Sequence, residues 1–164
     1  MNYTIIRIGD SKESYYREAM KEYQKRMSAL GGLEEVIVKP AKTAGRDLSP
    51  EEIRRTLEKE GEEIKKTLSL PKYAKSYKIA LCIEGTQLSS EGLAKLLGKV
   101  ALEGKSNVCF LIGGSWGLHE SVKALCDFRL SFSPMTFAHS LFAVMLSEQI
   151  YRAAGIQVGN HSHE

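Results

Sequence analysis

The chain is poor in cysteine, proline and tryptophan, with three Cys, four Pro and one Trp in 164 residues. Cys82, Cys109 and Cys126 form an odd-numbered set without metal-ligand spacing, so neither a disulfide framework nor a structural metal is expected. The first two lie in apolar runs, where buried thiols are commonplace. With 43% apolar and 26% charged residues, the composition excludes wholesale disorder. No stretch approaches the roughly 20 apolar residues of a membrane span, and the N-terminus lacks the apolar core of a secretory signal. The expected setting is the cytoplasm, with no membrane partner. A strong charge of one sign is missing too. A net charge of +3 permits contact with nucleic acid without demonstrating it, so a basic face has to come from local clustering or dimerisation.

What is present is a regular alternation of short apolar runs and amphipathic stretches. Residues 3–8 read as a first strand closed by Gly9 and Asp10. Ser14 to Leu30 repeats Tyr15, Ala19, Tyr23, Met27 and Leu30 along one helical face and stops at Gly31 and Gly32. A second strand covers 35–38, a polar loop follows, and a helix runs from Pro50 to Leu68 with Ile53, Leu57, Ile64 and Leu68 inward and Gly61 weakening its middle. Its outer side interleaves acids and bases, which describes a solvated surface. Residues 78–83 form a strand turning at Gly85. The next helix carries Leu93, Leu96, Leu97 and Val100 behind a Ser89 or Ser90 cap.

Residues 107–112 are the most apolar strand and the candidate for the centre of a parallel sheet. A short helix near 119–126, a strand at 128–132 and a final helix over 137–154 complete a βαβαβαβαβα order. That order predicts a single α/β domain over 1–164, a parallel sheet covered by helices.

Three loops follow three of these strands. Gly113 and Gly114 let backbone approach a ligand, and Gly117 permits a tight turn, although the same glycines also make an ordinary strand-to-helix turn. The segment is neither a Walker loop nor a dinucleotide loop, since both spacings are missing. Ser131, Ser133 and Thr136 offer hydroxyls around Met135 while Pro134 restricts the backbone; such a loop receives an adenine edge or caps a helix. Together with Gly85 the three loops point to one small-molecule pocket at the carboxyl ends of the strands.

His139 is a candidate to face an RNA base or phosphate, or to bond a neighbouring loop. His119 reads as structural. His161 and His163 are closely spaced, but no Cys or carboxylate spacing completes a metal site, and none is expected. Glu148 and Arg152, four apart, pair with one another or leave the arginine for a phosphate. No Ser-His-Asp order or isolated pair of carboxylates indicates covalent hydrolysis.

These motifs resemble a known family, the bacterial large-subunit rRNA pseudouridine N3-methyltransferase H family within the knotted SPOUT methyltransferases. The resemblance rests on Leu81-x-Ile-Glu-Gly85, Leu88-Ser-Ser-Glu-Gly-Leu-Ala94, Phe110-x-Ile-Gly-Gly114, Leu118-His119, Leu130-Ser-Phe-Ser-x-Met-Thr-Phe-x-His139 and Glu148-Gln-x-Tyr-Arg-Ala153. It implies a homodimer with a C-terminal trefoil knot over about 108–164. It also implies S-adenosylmethionine as cofactor and N3 of a pseudouridine in 23S rRNA of the assembled ribosome as substrate.

By the same resemblance Leu81, Gly85, Gly113, Phe132, Ser133, Pro134, Met135, Thr136 and Phe137 line the cofactor site. His139 and His163 are the catalytic candidates, and Arg152 and His163 the RNA-binding ones. With no strong base evident, positioning and electrostatics are expected to carry the reaction.

The chain departs from the family at three places: Ala143 where an arginine is usual, Val158 where a basic residue is common, and Ser162-His163-Glu164 in place of a Tyr-His-basic ending. Fewer cations and one aromatic less on the expected RNA face weaken phosphate contact and stacking. A changed RNA target, or a noncatalytic RNA- or ribosome-binding relative, therefore stands beside the family's own reaction.

Overall fold

A computed structural model describes residues 1–43 and 47–159. Apolar runs make five parallel strands: β1 (Asn2–Ile8), β2 (Leu33–Val38), β3 (Tyr77–Gln87), β4 (Asn107–Ile112) and β5 (Phe128–Ser131). Between and after them run α1 (Ser14–Met27), α2 (Pro50–Ser69), α3 (Ser90–Leu102), α4 (Glu120–Ala124) and α5 (His139–Gln157). The sheet order is β2-β1-β4-β3-β5. The most apolar strand is indeed the central one. Its Val108 to Leu111 are fully buried between the two helical layers.

Alternation along each strand divides the core. Tyr3, Ile5, Ile79 and Phe110 face α1, α3 and α5, whereas Ile6, Ile8, Ala80 and Leu111 face α2 and α4. Parallel strands buried on both faces read as continuous apolar runs, as β4 does. Caps fix where the helices begin. Ser49 and Glu52 form a reciprocal capping box ahead of Pro50, and Ser89 Oγ accepts from Gly92 N at 3.0 Å. Gly61 is less a weak point of α2 than a contact point, since a Cβ there lies 3.3 Å from His119 and Val122 of the α4 region.

β3 is longer than its apolar run predicts. Pairing with β5 is interrupted between Leu81 and Thr86, then resumes as Thr86↔Leu130 and Gln87↔Ser131. Gly85 permits this second pairing, because a Cβ there would stand 2.8 Å from the backbone of Arg129 and Leu130. The strand therefore does not turn away at Gly85 but passes close against its neighbour.

Candidate cofactor cavity at the ends of three strands

The carboxyl ends of β3, β4 and β5 bring their loops to one cavity of about 460 Å³. Leu81, Gly113, Phe132, Ser133, Met135, Thr136 and Phe137 all line it, as does His139. Gly85 and Pro134, expected on the same wall, do not: Gly85 is spent on the approach of β3 to β5 described above. The loop after β4 folds back on itself through a Gly114↔Gly117 bridge. The loop after β5 is held by Ser133, whose Oγ accepts from Met135 N at 3.0 Å and whose carbonyl accepts from Ser131 Oγ at 3.2 Å.

The apolar wall is organised by aromatic contact, with Phe132 and Phe142 centroids 4.8 Å apart and Phe137 and Phe142 6.1 Å apart. Its polar side is Glu84 and Lys123, which pair with each other; the bond from Lys123 holds the Glu84 carboxyl below the usual carboxylate range. Cys82 also lines the cavity, but burial, then the nearby Glu84 charge, pushes its thiol up. Burial takes the Cys126 thiol to about 12. Neither is a thiolate at neutral pH, so nucleophilic catalysis through sulfur has no basis here.

The sequence-derived candidates separate. His119 caps α4, its Nδ1 accepting from Ser121 N at 3.1 Å. Arg152 lies on α5 away from the cavity lining, paired with Glu148, whose side chain borders a second cavity of about 540 Å³ with Tyr23, Leu93 and Met145. Ala143 lies in the core. It is wholly buried in the core cluster, so its own side chain presents nothing to an RNA-facing surface. Val158 is exposed after α5. His163 and Ser162 lie outside the described residues.

Two buried charged residues escaped the sequence reading. Arg7 is 1% exposed in the middle of β1, where a cation within Ile5-Ile6-Arg7-Ile8 was the available signal. Glu60 is 6% exposed on α2; its Oε2 accepts from Ala41 N at 3.2 Å, while Oε1 has no partner among the described residues and lies behind Gly114. Burial raises its pKa, only partly opposed by the Ala41 bond. Folding therefore favours the protonated form, and the stability this group contributes is full below its unfolded pKa and falls as pH rises through the folded one. Glu60→Gln keeps an acceptor for Ala41 and removes the charge. It should add about 1 kcal/mol at pH 8 and nothing near pH 4, a melting-temperature difference of about 2–4 °C at the higher pH.

The family described as "Predicted SPOUT methyltransferase" matches residues 1–163. The chain belongs to the SPOUT methyltransferases. This methyltransferase is 43% identical over 164 residues to the "Ribosomal RNA large subunit methyltransferase H" of Shouchella clausii, covering all of both chains. The Clostridioides difficile protein of that name is likewise 43% identical over 164 residues and covered in full. Among solved structures, the fold is similar to a tRNA (m1G37) methyltransferase from Aquifex aeolicus. Its TM-score is 0.51 at 14% identity, covering 92% of this chain and 69% of that one.

SPOUT methyltransferases use S-adenosylmethionine. The cavity suits such a ligand in two respects: its volume is that of a small-molecule site, and its aromatic wall accepts a flat base.

Proposed function

We propose that this methyltransferase modifies N3 of a pseudouridine in 23S rRNA of the assembled ribosome, acting as a homodimer with a trefoil knot over about 108–164. The supporting observation is the meeting of the β3, β4 and β5 loops at one cavity in a chain similar over its whole length to proteins named large-subunit rRNA methyltransferase H. When bound, S-adenosylmethionine supplies an electrophilic methyl group on a sulfonium. Leu81, Phe132, Met135 and Phe137 would enclose its apolar parts, and Ser133, Thr136 and the backbone at Gly113 would supply polar contact. His139, at the start of α5, meets the cavity beside the incoming base, while Arg152 and His163 contact RNA phosphate.

Aligning the acceptor nitrogen supplies much of the rate, and closure against water strengthens each polar contact. Dimerisation has a physical motive in exposed apolar side chains such as Leu88 and Met135, which border the two cavities. A changed RNA target is favoured by one observation, the exposed Val158 where basic residues are common in the family. A noncatalytic relative would bind ribosomes without transferring methyl groups.

The deciding experiment is methyl transfer to intact ribosomes, separated subunits and free rRNA, followed by mapping of the product nucleoside. N3-methylpseudouridine in 23S rRNA from intact ribosomes is the expected result. A methyl group at a different nucleoside establishes the changed target, and no transfer to any of the three, with ribosome binding retained, establishes the noncatalytic relative.

A further inference from the structure

The cation in β1 acquires a purpose from what surrounds it. Arg7 points to the α1 and α5 side of the sheet and is anchored on every side. Nε donates to Glu35 Oε2 at 2.8 Å, Nη2 donates to Ser11 Oγ at 2.8 Å, and Asp10 stands 3.6 Å away. Ser11 Oγ in turn donates to Ser140 Oγ at 3.0 Å, tying the cluster to the first turn of α5. The remaining guanidinium nitrogen, Nη1, lies 3.3 Å from His139 Nδ1. An arginine only donates, so Nδ1 must accept. A neutral imidazole that accepts at Nδ1 carries its proton on Nε2, and Nε2 has no hydrogen-bond partner among the described residues although the ring lines the cavity.

We propose that Arg7 is a positioning residue that fixes His139 as the Nε2–H tautomer, so that His139 donates a hydrogen bond to a carbonyl oxygen of the target base and does not accept its proton. The part concerning the base rests on methylation of an imide nitrogen; the tautomer itself does not. Burial first, then the Arg7 charge, holds the His139 pKa below its ordinary value, opposed by Glu13, while Glu35 and Asp10 balance the arginine. A ring that is neutral and donates at Nε2 has no free lone pair for the base. The N3 proton therefore leaves to water. The charge that remains spreads onto the flanking carbonyl oxygens, where a fixed N–H donor stabilises it most.

The test begins with the ligand-free protein labelled with nitrogen-15 at histidine. Long-range proton–nitrogen correlation near pH 7.5 should show His139 with Nε2 protonated and Nδ1 bare. In Arg7→Met the ring should become a tautomer mixture that protonates at higher pH, and Arg7→Lys should restore the single tautomer. If Arg7→Met does not fold, the double variant with Glu35→Gln removes the orphaned carboxylate and takes its place. A wild-type Nδ1–H ring, or a tautomer indifferent to Arg7→Met, overturns the positioning role.

Single-turnover methyl transfer then separates donor from acceptor. Loss of the donor in His139→Ala should lower the rate about 10–100-fold at every pH, with the rise in rate toward alkaline pH retained. A wild-type acid limb that follows the His139 titration and vanishes in His139→Ala overturns the donor role. The expected tautomer in a protein that methylates no rRNA would instead overturn the proposed function while upholding the action of Arg7 on His139.

Discussion

Gly113→Ala should abolish measurable cofactor affinity, with a dissociation constant raised about 100-fold or more, equivalent to about 3 kcal/mol. Its Cβ would sit 2.3 Å from both the carbonyl carbon and oxygen of Gly117. Both atoms are backbone within a four-residue turn closed by the Gly114↔Gly117 bridge, so no side chain can swing aside to make room. The loop has to open, and with it the cavity edge formed by residues 113–118. The effect does not come from a side chain filling the cavity, which is the intuitive reason for avoiding bulk beside a ligand. Even the single methyl of alanine should therefore act nearly as severely as valine. Calorimetric titration with S-adenosylmethionine checks this. The sheet lies behind the loop, so the far-ultraviolet circular dichroism should be unchanged. Wild-type affinity in the alanine variant would remove this loop from the cofactor site.

The architecture was largely legible because each element carries its own local signal. Apolar runs bounded by glycine marked the strands, 3.6-residue periodicity marked α1 to α3, and Ser89 announced the start of α3. The strand order was less accessible, since pairing between β1 and β4 joins residues about a hundred positions apart and leaves no local trace. The same limit explains Gly85. A glycine after an apolar run signals a turn, whereas its close approach to Arg129 depends on a strand that comes 44 residues later.

The cavity was visible as three glycine- or serine-containing loops, but its polar network was not. Arg7 meets Glu35 and His139 only through tertiary structure, which pairs β1 with β2 and brings the start of α5 beside it. A lone arginine among isoleucines does not reveal its partners. Ala143 was equally silent about its setting: nothing in the sequence around it distinguishes the buried position it occupies from a surface one.

Gly85→Val is expected to be the most damaging single change to the protein as a whole. A Cβ at this site meets the carbonyl carbon and oxygen of Arg129 and the carbonyl carbon of Leu130, each at 2.8 Å. All belong to β5, the edge strand, whose only partner in the sheet among the described residues is β3. The second stretch of pairing, Thr86↔Leu130 and Gln87↔Ser131, must separate to admit the side chain. Leu130 is 1% exposed in the core shared with α3 and α5, so the displacement cannot be confined to the surface. Overpacking against rigid backbone costs about 3 kcal/mol, a large share of the about 5–15 kcal/mol that holds a domain folded.

The change also reaches function, because β5 leads directly into the 132–137 wall of the cavity. Two losses should therefore appear together: a melting temperature lower by about 6–12 °C, at 2–4 °C per kcal/mol for a chain of this length, and cofactor affinity reduced in the protein that remains folded. Gly113→Ala should show the second without most of the first. Thermal unfolding and titration of both variants side by side read this difference directly. A Gly85→Val protein with unchanged melting would mean that β3 and β5 do not approach as closely as the resumed pairing requires.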